Sequence, residues 1–166
     1  MPMTRPVAVA LLAAMALAGP AFAELPAAID APGATPALTV NAAGAQVYEC
    51  KAGADGKLAW TFREPVATLM RDGTTIGRHY RGPTFEHQDG SAVVIKVAAS
   101  APSPDGSIPW LKADVVEKRG AGVLSDVATV QRINTRGGLL QGPCEQAGAT
   151  QGAAYTADYV FLRKAP

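Results

Sequence analysis

From residue 37 to residue 163 the chain is cut into short β-type runs by Gly, Asp and Pro, and almost no segment carries the 3.6-residue apolar period of a helix. That punctuation leaves few architectures open. The runs are 37–40, 45–51, 58–64, 74–80, 84–88, 91–98, 108–117, 123–134 and 155–163. A turn falls about every 8 to 14 residues, the rhythm of an antiparallel β-sandwich or a small barrel. The sequence therefore predicts an all-β single domain of about eight or nine strands, spanning residues 37–166.

The sharpest local signal is Asp89-Gly90 between 84–88 and 91–98, a pair that favours a two-residue type I′ hairpin loop. A two-residue loop would set Gln88 opposite Ser91, His87 opposite Ala92, Glu86 opposite Val93 and Phe85 opposite Val94. A second hairpin joins 45–51 to 58–64 through the Gly53 and Gly56 loop, and 65–71 reads as a short connection. Pro109 marks an edge or the start of a strand. In 155–163, Tyr155, Tyr159 and Phe161 fall on one face with Asp158 on the other.

The first 23 residues have the three-part layout of a secretory signal peptide. Arg5 supplies the positive start, 7–18 is an apolar run, and Ala21-Phe22-Ala23 is an A-x-A cleavage site. An apolar run of that length is too short for a bilayer, which takes about 20 residues. The expected product is a secreted or periplasmic domain cut near Ala23, with no membrane span in the mature chain. Residues 24–36, rich in Ala and Pro, read as a flexible or extended lead-in. The full chain has 15 basic and 14 acidic residues, and Arg5 leaves with the leader. A balanced domain has no electrostatic footprint for nucleic acid. Cys50 and Cys144, an even pair in an exported chain, read as one disulfide. Neither has the spacing of a redox pair or a zinc site.

Several segments in fixed order resemble the secreted bacterial family called domain of unknown function 3455, which also occurs in fungi. They are Gln46-Val47-Tyr48-Glu49-Cys50, then Gly77-Arg78-His79-Tyr80-Arg81-Gly82-Pro83-Thr84-Phe85-Glu86 with Asp89-Gly90-Ser91. Ile108-Pro109-Trp110-Leu111 and Gln131-Arg132-Ile133-Asn134-Thr135-Arg136-Gly137-Gly138 complete the set. Phe85 stands where Trp is expected. The resemblance implies one compact exported domain and carries over no activity, catalytic residue or cofactor.

Residue chemistry offers two sites. His79, with Glu86 or Asp89 beside it, could act as a general base in a small hydrolase or isomerase, provided those side chains converge. No nucleophile elbow accompanies them, and the spacing of His79 and His87 matches no metal motif, so no metal and no cofactor is expected. In an extended 131–136, Arg132, Asn134 and Arg136 would present planar donors to a carboxylate, phosphate or sugar. The bland alternative has both Arg side chains ion-paired and Asn134 opening a turn. Trp60 and Trp110 could be sugar platforms, although core packing is their commoner fate. The preferred reading is a non-catalytic module binding a small polar molecule or glycan. His79, Tyr80, Glu86, Arg132, Asn134 and Arg136 are its candidate ligand-binding residues. A cell-envelope protein interaction domain is the third reading, whose sign would be an exposed apolar patch or an unpaired sheet edge.

Overall fold

A computed structural model describes residues 25–165. The expected signal peptide lies outside the described residues. Eight antiparallel strands close in sequence order into one barrel, which settles the choice between sandwich and barrel. They are β1 (Ala34–Ala52), β2 (Leu58–Arg71), β3 (Thr74–Tyr80), β4 (Thr84–His87), β5 (Ala92–Ala101), β6 (Trp110–Arg119), β7 (Val127–Gly137) and β8 (Thr150–Lys164). Closure pairs β1 with β8 along Ala34–Glu49.

Three local expectations are corrected. The runs 37–40 and 45–51 are one strand, because Gly44 lies within β1 at a close approach to β2. A Cβ there would run into the Val66 carbonyl and Ala67. The stretch 65–71 is not a connection but the second half of β2. Pro65 is accommodated because β3 pairs only from Ala67 onward, leaving β2 an edge at that point. The Asp89-Gly90 loop has three residues, not two. The Gly90 N–H donates to the His87 carbonyl (3.0 Å) and the His87 N–H to the Ser91 carbonyl (2.9 Å). Gly90 takes φ 87°, the left-handed residue that follows a type I turn in such loops. The register therefore shifts by one, with Phe85 opposite Val93 and Glu86 opposite Ala92.

The interior follows from the pleat: alternate residues of each strand face inward. Leu38, Val40 and Ala42 of β1 meet Ala157, Tyr159 and Phe161 of β8, with Val93, Ala113 and Val130 from the facing strands. Tyr155, Tyr159 and Phe161 share the inner face, as the sequence pattern requires. At the centre the Phe85 ring stacks on His79, their centroids 3.7 Å apart, and meets Tyr159 and Phe161 edge-on.

Both ends of the barrel are tied. At one end the Asp89 carboxylate accepts from the Ser91 N–H and hydroxyl and from the Val123 N–H, joining the β4–β5 and β6–β7 turns. Gly122 lies against that carboxylate. At the other end the loop 139–149 lies across the β1–β2 hairpin. It holds both outer edges, through Trp60 N–H to the Gly142 carbonyl (3.1 Å) and Cys50 N–H to the Ala149 carbonyl (2.8 Å). The expected Cys50–Cys144 disulfide fastens it. The folded part begins before residue 37: Ala27–Ile29 forms a 3-10 turn, and Ile29 is wholly buried against Ala101 and Trp110.

Candidate functional site

The register decides first what happens to His79. It pairs with Phe85 while Arg78 pairs with Glu86, so His79 and Glu86 stand on opposite faces of the sheet. His79 is buried, and burial pushes its imidazole down to about 3. Its Nδ1 lies 2.9 Å from the Thr84 carbonyl, which can only accept, so the proton sits on Nδ1. His79 is a neutral core side chain, and the convergence required of a base and its orienting acid is not met. Tyr80 and Glu86 do come together, outside the barrel. The Tyr80 hydroxyl donates to Glu86 (2.7 Å), and Arg78 donates to both carboxylate oxygens (3.0 and 3.1 Å). The Tyr80 hydroxyl first, then Arg78, holds the Glu86 carboxyl below the usual range. The Arg78 guanidinium also covers the Tyr80 ring at 4.9 Å.

Arg132, Asn134 and Arg136 do not share a face. Arg132 donates through Nε (3.1 Å) and Nη2 (2.8 Å) to the Pro109 carbonyl, and its charge bears on His79 and Tyr159 inside the barrel. Asn134 adopts φ 51°, breaking the alternation where β7 slips against β8 between Ile133 and Arg136. Its amide donates to Asp158 (2.8 Å), whose other oxygen accepts from Asn41 (2.6 Å). Arg136 reaches Asp105 at 3.7 Å. The two segments 107–111 and 131–138 thus interlock. Thr135 donates to the Ile108 carbonyl (2.7 Å), the Ile108 N–H to the Gly137 carbonyl (3.0 Å), and the Gly137 N–H to Ser107 (2.7 Å). Tyr48 donates to the Gly138 carbonyl (2.8 Å).

The outer surface beside these residues is hollowed. A groove of about 430 Å³ lies between the 3-10 turn and the outer face of β7 and β8. Leu25, Trp110, Ile133 and Leu162 make its apolar walls, and Asp30, Gln131 and Asn134 its polar points. Gln131 donates to the Ile29 carbonyl (2.6 Å), and Lys112 donates to the Asp30 carbonyl (2.7 Å), strapping the turn over the groove. A second cleft, about 250 Å³, lies beyond Trp110 and Asn134, which line both, and ends at Asp105 and Arg136. Trp110 is only 5% exposed, which excludes a sugar stacked flat on its ring. Its indole N–H finds no acceptor among the described residues. A buried donor left so costs about 1–3 kcal/mol.

Of the six candidate ligand-binding residues only Asn134 and Arg136 line these clefts, joined by Trp110, which the sequence offered as a sugar platform. Leu25, Asp30 and Gln131 were missed. The signal for Gln131 was its place in a motif-bearing segment; Leu25 and Asp30 sat in a stretch whose composition resembles a linker. Among the described residues no group of three His, Cys, Asp or Glu side chains is placed to hold a metal ion. No helix there is long and apolar enough to cross a membrane.

A family model, described as protein of unknown function (DUF3455), matches residues 31–163. The chain belongs to the DUF3455 family. No curated protein matches it, and no solved structure does. The DUF3455 match runs from before β1 to the penultimate residue of β8 and so takes in essentially the whole barrel. The segments that carry the resemblance are those that bind the barrel to itself: Tyr48 on Gly138, His79 on Thr84, Asp89 on Ser91, and Arg132 on Pro109.

Proposed function

We propose that this DUF3455 protein is an exported, non-catalytic binding domain for a small polar molecule or a short glycan, held in the groove beside Trp110. The reading rests on one observation: Trp110 lines both clefts, and its indole N–H is buried with no acceptor among the described residues. A ligand oxygen that reaches this N–H as the Trp110 side chain gives way would remove an existing penalty, so the bond would be worth more than one formed at an open surface. The groove's volume falls within the range of about 300 to 1,000 Å³ usual for small-molecule sites, and its apolar walls with few polar points match their make-up. Export accords with the leader-like first 23 residues and with the disulfide.

Native mass spectrometry of the protein purified from an exporting cell tests this, compared with its denatured mass. Non-covalent added mass is expected, and Trp110→Phe, which keeps the ring but deletes the donor, should weaken its retention about tenfold. A protein that carries no added mass, and that gives no heat with mono- and disaccharides or with hydroxy acids, refutes the reading.

A further inference from the structure

Trp110 faces outward and is buried only because a piece of chain lies on it. Around it on the outer wall, Ala101 of β5 pairs with Trp110 of β6, and Lys112 of β6 pairs with Gln131 of β7. The covering piece is residues 25–31. Its Ile29 side chain is wholly buried against Ala101 and Trp110, with Ile133 packed beside them.

This segment is docked on the barrel and not woven into it. Its own backbone bonds are internal, from the Ile29 N–H to the Pro26 carbonyl (2.9 Å) and from the Asp30 N–H to the Ala27 carbonyl (3.3 Å). Among the described residues, no backbone hydrogen bond joins residues 25–30 to a strand. Two side chains of the barrel hold it instead. The Gln131 amide donates to the Ile29 carbonyl (2.6 Å), and the Lys112 ammonium donates to the Asp30 carbonyl (2.7 Å). The wall thus already binds a branched aliphatic group with an oxygen acceptor beside it, supplied by its own chain. A segment attached by one apolar side chain and a few side-chain bonds opens at far lower cost than the barrel does. Its departure frees the Gln131 amide and the Lys112 ammonium next to the Trp110 indole N–H, which lacks an acceptor even in the covered form. The Asp30 carboxylate leaves with the segment, so the exposed donors include a cation and lose a neighbouring anion.

We propose that the Ile29 position is a cryptic subsite of the groove for a small carboxylic acid with a branched aliphatic tail, which enters by displacing residues 25–31. The inference rests on the groove beside Trp110 being a binding site and names the chemical class it takes. The tail needs only the volume that the Ile29 side chain gives up between Ala101, Trp110 and Ile133. The carboxylate replaces the Ile29 and Asp30 carbonyls on Gln131 and Lys112, and its bond to the ammonium is stronger than the one given up to a neutral carbonyl. With the cover gone the Trp110 ring is free to turn its N–H toward the acid. A pocket of this kind is a minor conformation that its ligand makes dominant.

The probe is β-methylvalerate, which reproduces the Ile29 side chain, Cα and carbonyl carbon and carries a carboxylate where the peptide group was. It is titrated into the unaltered protein while the Ile29 methyl signals and the Trp110 indole N–H are followed by nuclear magnetic resonance. The Ile29 methyls, held against the Trp110 ring, should move to the positions of an exposed side chain as the Trp110 signal shifts. Neutral β-methylvaleramide should bind about tenfold more weakly than the acid. Ile29→Ala, which loosens the docked segment, should raise the affinity for the acid by about tenfold or more. A Trp110 signal that moves while the Ile29 methyls stay in place overturns the displacement and leaves the groove reading standing. An amide that binds as tightly as the acid overturns the carboxylate assignment. Absence of binding to the unaltered protein, even where Ile29→Ala binds, overturns the subsite, because a cavity made by truncation is then all that is filled.

Discussion

Arg132 is the residue whose role the structure changes most, and Arg132→Met isolates that role. Methionine keeps most of the aliphatic stem and deletes the guanidinium, so the main loss is the two bonds to the Pro109 carbonyl, with the charge beside His79 and Tyr159 removed as well. Hydrogen bonds from charged groups contribute about 1.5–3 kcal/mol each, and a partly exposed pair sharing one acceptor deserves the lower end, so the loss is about 2–3 kcal/mol. For a chain of this size each kcal/mol moves the melting temperature by roughly 3 °C, giving a fall of about 6–9 °C. Arg136→Met is the control. Its ion pair with Asp105 is exposed and long at 3.7 Å, so its deletion should cost no more than about 0.5 kcal/mol. Both variants are followed by circular dichroism or calorimetry. An Arg132→Met protein that melts within a degree of the parent, or an Arg136→Met protein that melts lower than Arg132→Met, would show that the 107–111 strap is not what Arg132 holds.

Other outcomes follow from the same contacts. Replacing Cys50 and Cys144 together by Ala, which frees the loop 139–149, should cost about 2–5 kcal/mol in urea unfolding. Gly138→Ala should cost about 2–4 kcal/mol, because φ is +80° and the new Cβ would sit 2.9 Å from Tyr155 Cβ and 3.0 Å from Ile108. His79 stays neutral in the fold down to about 3, while in the unfolded chain it takes a proton near 6.5. The unfolded state then binds more protons between those values, so stability should fall with decreasing pH by up to about 1.4 kcal/mol per unit. His79→Leu should flatten that slope; an unchanged slope would mean another group sets it.

Much of the barrel was legible because its turns are chemical. Gly and Asp mark the reversals, and Tyr155, Tyr159 and Phe161 announce the inner face of β8. What failed was local and has physical causes. Gly44 resembled a break and proved to be a close approach between strands. Asp89-Gly90 promised two loop residues and formed three, which shifted Phe85 onto Val93. The site was less legible, since polarity does not say which way a side chain points. His79, read as a possible base, stacks in the core. Arg132, Asn134 and Arg136, read as one face, were separated by a bulge at Asn134, which takes the positive φ that Asn tolerates better than most residues. Trp110 is outward-facing yet buried, because the 3-10 turn at Ala27–Ile29 folds over it. Nothing in the linker-like composition of that segment foretold the covering.

The groove account is tested most directly at the two tryptophan indole N–H resonances in a nitrogen-15 spectrum, assigned with Trp110→Phe. Molecules released from the protein on denaturation, or the sugar and hydroxy-acid panel, are titrated back. The account predicts that the Trp110 signal moves as the site fills while Trp60 stays in place. Binding that leaves the Trp110 signal unmoved would place the ligand elsewhere and contradict it.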